Sequence, residues 1–106
     1  MANRLKLRAT KRFVRSFERA SPPLRHLAQG ALRDLVNFAT HAGAPNLTRY
    51  TQVKGLEPPV REVPVAGGER MLVHQAANEI FLLDLGNHEV VTHYKDTGKV
   101  RSEIKN

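Results

Sequence analysis

Hydrophobic and polar residues alternate along this chain in patterns that predict a strand, two helices and then three more strands. Over residues 5–9, apolar Leu5 and Leu7 alternate with basic side chains, which is typical of a short strand. Thr10 can cap a helix that extends from about Lys11 to Ala20. The helical spacing of three apolar residues predicts the side that faces the core: Phe13, Val14 and Phe17.

A longer second helix is the clearest prediction from the pattern. Ser21 is placed to cap it, and the two prolines that follow are tolerated in a first helical turn. We expect the helix to reach about His41 and to stop before Gly43 and Pro45. Its apolar residues recur at helical spacing and should cover one face of a sheet: Leu24, Leu27, Ala28, Ala31, Leu32, Leu35, Phe38 and Ala39.

Three strands are predicted after a loop over residues 44–59. They fall at about Val60–Val65, Arg70–Gln75 and Glu79–Leu85. Gly67-Gly68 can form a two-residue hairpin turn, because glycine adopts the positive φ angles that such turns need. A second turn is expected at Ala76–Asn78, with Asn78 in the left-handed conformation.

The end of the chain carries weaker signals. Val90 and Val91 suggest a last short strand, whereas residues 95–106 form a polar C-terminal tail that is expected to be disordered. The order β-α-α-β-β-β predicts the α+β class, with a small antiparallel-rich sheet and two N-terminal helices packed on one face. We therefore expect a single domain over residues 1–94.

The hairpin turn determines which side chains share a face of the sheet. With a two-residue turn at Gly67-Gly68, Arg61 pairs with His74, and Arg70 lies on the same side because paired residues share a face. A bulge at Pro64 would instead turn Arg61 away from Arg70.

Composition changes this picture mainly through charge. The 106 residues carry a net charge of +7, and eight of the 17 Lys and Arg residues fall within the first 25, where Glu18 is the one acidic residue. Such a field favours a polyanion or an acidic protein as partner, although a merely soluble basic protein has the same composition. Four cations of the first helix form either a solvated face or a contact surface for RNA: Lys11, Arg12, Arg15 and Arg19.

The rest of the composition argues against several classes. The chain has no cysteine, which removes disulfides and cysteine metal sites, and we predict neither a metal nor a cofactor. It has no apolar run of about 18 residues that would indicate a transmembrane helix. The basic start is not followed by the apolar segment of a secretory signal.

Arginine and histidine on one sheet face suggest phosphate chemistry. Guanidinium groups bind phosphate through paired hydrogen bonds, and a histidine can transfer protons near neutral pH. Together they can cleave a phosphodiester without metal: a base activates the ribose 2′-hydroxyl, arginines stabilise the developing charge, and an acid protonates the leaving 5′-oxygen. The competing interpretations are surface residues on an exposed strand, or an ion pair of Arg70 with Asp84, which a three-residue turn at Ala76–Asn78 would allow.

The stretches VREVPVAGGERMLVHQ and EIFLLDLGNHE, followed by Tyr94, resemble the RelE/ParE superfamily of toxins from type II toxin–antitoxin systems. The segment RFVRSFERA, the long second helix and Lys54-Gly55-Leu56 extend the resemblance over about residues 3–94. The family fold is a small sheet with two N-terminal helices. RelE-like members are ribosome-dependent mRNA endonucleases, so the resemblance implies an enzyme that inhibits translation.

The resemblance also implies roles for individual residues. Arg70 matches the phosphate-binding arginine after the glycine turn, and Arg61 matches a basic residue on the preceding strand, so we expect both to bind the scissile phosphate. His88 stands where RelE has arginine and Tyr94 matches its C-terminal tyrosine, and we expect these two to form the acid–base pair. Val63 stands where RelE carries a lysine. Contacts with mRNA and rRNA are implied for a basic set: Lys11, Arg12, Arg15, Arg19, Lys54 and His74.

Two other functions stay open within the same superfamily. A ParE-like toxin binds and poisons DNA gyrase without cleaving RNA, and the replacement of the lysine by Val63 favours this alternative. A degenerate member would only bind its partner. All three imply a cognate acidic antitoxin protein as partner, a cytoplasmic location and no membrane.

Overall fold

The computed structural model describes residues 6–41, 47 and 49–105, except the side chains of 39–41. Within these residues the five strands form one sheet in the order β1-β5-β4-β3-β2. Strand β1 runs parallel to β5, and the other neighbours are antiparallel. The predicted α+β class is confirmed, with elements at β1 (Lys6–Ala9), α1 (Lys11–Arg19), α2 (Pro22–His41), β2 (Thr51–Gln52), β3 (Arg61–Ala66), β4 (Glu69–Ala76), β5 (Glu79–Gly86), α3 (Glu89–Thr97) and α4 (Val100–Lys105).

Both N-terminal helices begin at the caps that the sequence predicts. The Thr10 hydroxyl oxygen accepts a hydrogen bond from the Phe13 N–H at 3.1 Å and lies 3.0 Å from two carbonyl oxygens of β5, which ties α1 to the sheet. The Ser21 hydroxyl oxygen accepts from the Leu24 N–H at 3.3 Å at the start of α2. Local capping thus sets both helix starts.

The first hydrophobic core lies between these two helices and one face of the sheet. Val14 and Leu27, which were assigned to the apolar stripes, are 43% and 46% exposed because they lie at the edges of the arcs that face the sheet. Leu5, Gly43, Pro45 and the side chain of Ala39 lie outside the described residues. The core includes Phe13, Ala28, Leu35, Val63, Met71, Val73, Ile80, Leu82 and Leu85.

The opposite face of the sheet is covered by α3 and α4, where the sequence suggested a strand and a disordered tail. Both expectations are wrong, because Val90, Val91 and Tyr94 fall on one side of a helix and pack on the sheet. Gly98, with φ of 64°, ends α3, and Val100 of α4 is buried. The domain boundary after residue 94 stays a prediction.

The second core also uses the segment before β3. Val53, Leu56 and Val60 pack against Leu72 and Leu83 on the face that α3 and α4 cover. Strand β2 lies within the stretch that was predicted to be loop, where its two residues pair with β3. Among the described residues, no helix is long and apolar enough to span a membrane.

Both hairpins have two-residue turns. Ala66 pairs with Glu69, which confirms the turn at Gly67-Gly68, and Gly67 has φ of 55°. The next turn consists of Ala77-Asn78 alone, so the three-residue alternative is wrong. Its left-handed residue is Ala77, with φ of 54°, rather than Asn78 as predicted.

The register of β3 against β4 shifts between Pro64 and Ala66. Arg61 therefore pairs with Val73 and not with His74, and it lies on the face opposite Arg70. The predicted common face is wrong because the extra residue beside Pro64 reverses the side-chain alternation of β3. Pro64 itself predicts this bulge as the alternative register, since proline cannot donate a ladder hydrogen bond.

Candidate active site around Arg70

Arg70 lies at the start of β4, where its backbone pairs with Gly86 of β5. Its side chain is 23% exposed and makes three polar contacts. Nη1 donates to Glu62 Oε1 at 2.9 Å and lies 3.4 Å from His88 Nδ1, and Nη2 donates to the Gly68 carbonyl oxygen at 3.0 Å. The guanidinium is thus held in one orientation beside a depression of about 230 Å³.

Glu62 is the site residue that the sequence analysis missed. In the unbulged register Glu62 lies on the face opposite Arg70, so the two were not brought together. The observed bulge turns Glu62 towards Arg70, and the Glu62 side chain remains 27% exposed. The bulged register that Pro64 suggested would have found this contact.

His88 reaches Arg70 from the junction of β5 and α3. Gly86 lets the first turn of α3 pack closely there, since a Cβ at Gly86 would lie 2.9 Å from Val90 Cγ1. A guanidinium only donates, so Nδ1 of His88 accepts the hydrogen bond from Arg70. In the neutral ring the proton is then on Nε2. Protonation of Nδ1, which makes the imidazolium that can act as an acid, requires this contact with Arg70 to open.

Glu62, Arg70 and His88 form the site trio of this chain. A carboxylate can accept a proton, a guanidinium can stabilise a dianionic phosphate, and an imidazolium N–H can protonate a leaving oxygen. All three side chains are at least partly exposed at one end of the sheet. The structure therefore brings together Arg70 and His88 of the predicted set and adds a carboxylate to them.

Arg61 is directed to the other side of the sheet. Its Nη1 donates to the carbonyl oxygen of Tyr50 at 2.6 Å, which anchors the segment before β2. This contact gives Arg61 a structural use away from Arg70. The predicted pair of phosphate-binding arginines is therefore not assembled.

Tyr94 is wholly buried beneath α3 at 0% exposure. Its hydroxyl donates to the Leu83 carbonyl oxygen at 3.1 Å, and burial raises the pKa of Tyr94 far above its usual range, with the charges of Glu103 and Asp84 acting in the same direction. The Tyr94 phenol therefore keeps its proton and does not reach solvent. Its ring is part of the second hydrophobic core. The structure does not place it beside Arg70.

This burial predicts a loss of stability in alkaline solution. The pKa of Tyr94 is raised in the folded state, so above pH about 10 the unfolded chain releases the phenol proton while the folded chain retains it. The free energy of unfolding should then fall by about 1.4 kcal/mol per pH unit from this group. We expect the stability difference between wild type and Tyr94→Phe, measured by urea unfolding, to shrink as pH rises above this value. Tyr50 is present in both proteins, so its contribution to the pH dependence cancels in the difference. A stability difference that stays constant with pH would contradict the prediction.

Asp84 pairs with Arg12 rather than with Arg70. Its Oδ2 accepts from Arg12 Nε at 2.6 Å, while Oδ1 accepts from the Ser16 hydroxyl and, at 2.8 Å, from the Leu85 N–H. Burial alone would lower the pKa of Arg12, but the hydrogen bond and charge of Asp84 outweigh it and raise that pKa. Arg70 therefore forms its ion pair with Glu62 and not with Asp84. The ion pair between Arg12 and Asp84 instead connects α1 to β5.

His74 and Lys54 lie apart from the site trio. His74 Nδ1 donates to the Pro59 carbonyl oxygen at 2.7 Å, and its ring stacks on Phe81 with centroids 6.1 Å apart. Lys54 is exposed in the turn before β3. Their contacts with nucleic acid stay predictions. Among the described residues, His, Asp and Glu side chains do not gather into a group of three or more that could hold a metal ion.

No protein-family model and no curated protein sequence matches the chain. Among solved structures it is similar to a chain of the RelB–RelE antitoxin–toxin complex from Methanococcus jannaschii, at 12% identity and a TM-score of 0.55, over 82% of this chain and 96% of that one. It is also similar to a copper-bound mutant toxin from Helicobacter pylori, at 24% identity and a TM-score of 0.54, over 82% of this chain and 98% of that one. The first neighbour belongs to an antitoxin–toxin complex and the second is a toxin, and the chain has the RelE-like toxin fold.

Proposed function

We propose that this chain is the toxin of a type II toxin–antitoxin system and cleaves mRNA on the ribosome. The observation that carries the proposal is the contact of Arg70 with both Glu62 and His88, at 2.9 and 3.4 Å, in a chain with the RelE-like toxin fold. The trio contains the three kinds of group that a metal-free cleavage needs: a base, a cation and an acid.

The reaction would be an internal transesterification. The ribose 2′-oxygen attacks the adjacent phosphorus, and its proton passes to the Glu62 carboxylate. Arg70 stabilises the charge that builds on the non-bridging phosphate oxygens. The bond from phosphorus to the 5′-oxygen breaks as the imidazolium form of His88 gives its Nε2 proton to that oxygen and becomes a neutral imidazole. The contact of Nδ1 with Arg70 opens for this step, because Nδ1 of the imidazolium carries its own proton and the guanidinium binds the phosphate instead. The products are a 2′,3′-cyclic phosphate and a free 5′-hydroxyl.

An acidic antitoxin is the proposed partner that restrains the toxin. Edge strand β1 borders a groove of about 320 Å³, which can accept a partner segment with apolar anchors. Ala9 of this groove also borders a depression lined by Lys11 and Arg15, which favours acidic residues on the same segment. The apolar lining of the groove is contributed by Leu7, Ala9, Phe13, Phe17, Ala28, Leu32 and Leu82.

The direct test identifies the chemical groups at the ends of the mRNA fragments that form in a translating extract. We expect full-length protein to cut translated mRNA and to leave ends that carry a 2′,3′-cyclic phosphate, detected by enzymatic end-labelling before and after opening of the cycle. Addition of the cognate antitoxin should stop the reaction. Intact mRNA at protein concentrations that arrest growth would contradict the proposal.

One observation favours a second candidate, a ParE-like toxin that poisons DNA gyrase by binding. Two of the four predicted catalytic side chains do not join the site, because Tyr94 is buried and Arg61 contacts Tyr50. Supercoiling assays with purified gyrase separate the candidates. Accumulation of cleaved DNA complexes together with intact mRNA would favour the gyrase poison.

A further inference from the structure

A second groove lies between α1 and the junction of α3 with α4, and it shares Lys11 and Arg15 with the depression beside the groove of β1. It has a volume of about 320 Å³. Lys11 and Arg15 enter it from α1, whereas Lys99 enters it from the residues that connect α3 to α4. Packing of the C-terminal helices against the sheet is what brings Lys99 to α1, so the groove was not visible in the sequence. Its lining consists of Thr10, Lys11, Arg12, Arg15, His93, Lys99, Ser102 and Glu103.

The groove carries positive charge that the described residues leave uncompensated. Within the part of the chain that the structure describes, the ion pairs involve neither Lys11 nor Arg15 nor Lys99. The one carboxylate in the lining belongs to Glu103, which lies 3.4 Å from His93 Nε2. Three exposed cations therefore face the same space, and none of them forms an ion pair with Glu103, the one carboxylate of the lining.

The polar lining indicates the chemistry of the occupant. Every lining side chain carries a polar or charged group, and the large aliphatic and aromatic side chains that anchor a peptide are missing from this lining. The groove beside β1 has the opposite character and suits a protein segment. Phosphate groups, in contrast, are bound chiefly by Lys, Arg and hydroxyl side chains, which is what this groove offers.

We infer that the groove between α1 and α4 binds the phosphate backbone of the single RNA strand that the Arg70 site cleaves. Lys11 and Lys99 act as point charges on successive phosphates and Arg15 binds one through paired hydrogen bonds, with the Ser102 hydroxyl beside them. This inference rests on the proposed function, and it adds an anchoring site that touches none of the reacting atoms.

The anchoring site and the cleavage site are separate regions. A depression of about 340 Å³ lies between them, sharing Arg12 with the groove and Glu69 with the pocket beside Arg70. Glu69, Asp84 and Glu89 line this depression together with Arg12 and Arg19, and one carboxylate oxygen of Glu69 is buried without a hydrogen-bond partner. Because Arg12 is paired with Asp84, the two remaining carboxylates outnumber Arg19, so phosphate should be held less tightly here than in the groove.

The inference is tested by binding, with a probe that cannot react. A fluorescent single-stranded RNA with 2′-O-methyl groups lacks the nucleophile, so its affinity is independent of catalysis. Binding to a single strand weakens with salt with a slope of about 0.7 per phosphate contact. The triple variant Lys11→Gln, Arg15→Gln, Lys99→Gln should therefore bind at least about tenfold more weakly at low salt, with a salt slope smaller by about 2.

A matched variant controls for the change of net charge. Arg33, Lys95 and Lys105 are exposed and do not line the groove, so their replacement by glutamine should leave affinity within about twofold and the slope unchanged. Thermal unfolding followed by circular dichroism checks that both variants fold. If the groove variant binds RNA like its control, or loses only the antitoxin, the inference is wrong. Arg70→Ala should lower the cleavage rate by about 10²–10³-fold without removing this binding, so a failure of the RNA-binding inference can be distinguished from a failure of the proposed cleavage.

Discussion

Replacement of Arg70 by alanine is expected to lower the rate of mRNA cleavage by about 10²–10³-fold, as loss of a charge-stabilising group does in comparable sites. Arg70 is the group that contacts both the carboxylate of Glu62 and the ring of His88. Its loss would remove the cation at the phosphate and the contact that orients the imidazole. The measurement is single-turnover cleavage of translated mRNA with wild-type and variant protein at equal concentration.

Arg61→Ala is the matched control for this prediction. Both arginines lie in the same hairpin, but Arg61 contacts the Tyr50 carbonyl oxygen on the opposite face. We expect the cleavage rate of Arg61→Ala to stay within a few-fold of wild type once the folded fraction is taken into account. Equal losses in the two variants, or full activity of Arg70→Ala, would contradict the site assignment.

His88 and Glu62 should respond differently from Arg70. Removal of a general acid or base typically costs about 10²–10⁴-fold in rate. His88→Ala should lose most of its activity on normal mRNA but recover with a substrate whose 5′-leaving group is activated, because such a group departs without protonation. Glu62→Gln should not be recovered in this way if its carboxylate removes the 2′-hydroxyl proton.

Removal of the Arg12 side chain has the largest expected effect on stability. Asp84 is 1% exposed, and Arg12 is its charged partner at 2.6 Å. Arg12→Ala would leave a buried carboxylate with only its bonds to Ser16 and the Leu85 N–H. We expect the free energy of unfolding to fall by about 2–4 kcal/mol, somewhat less than for a wholly buried pair because solvent reaches part of Arg12.

Urea unfolding of a double-mutant cycle measures this effect. Asp84→Ala in the Arg12→Ala background should cost less than Asp84→Ala alone, since the second change removes the stranded charge. Arg8→Ala is the control, because Arg8 forms an exposed ion pair with Glu79 that should contribute about 0–1 kcal/mol. Additive effects of Arg12 and Asp84 would show that the pair is not coupled.

In the second core, secondary structure could not be predicted from neighbouring residues alone. Val90-Val91 suggests a strand, since β-branched residues favour strands and two adjacent residues do not reveal a period. The structure forms α3 because Val90, Val91 and Tyr94 then bury together against Leu72 and Leu83. This preference comes from surface that lies elsewhere in the chain, and it overrides local propensity.

The sequence by itself determined the features that depend on neighbouring residues. Thr10 and Ser21 set the starts of α1 and α2, the apolar spacing of α2 selects the face that packs on the sheet, and Gly67-Gly68 forms the hairpin turn. Each is decided within one or two turns of chain, by capping, periodicity or a positive φ angle. Arg70 and His88 were recognised as candidates on this basis.

Only the tertiary structure decided which of the candidate side chains meet. The shift beside Pro64 moves Arg61 away from Arg70 and brings Glu62 to it, and packing of α3 on the sheet buries Tyr94. A strand alternates its side chains with a period of two, so a single extra residue reverses a face, and pairing with the next strand chooses between the registers. The site is therefore a property of the assembled sheet, built from residues whose positions the local pattern left open.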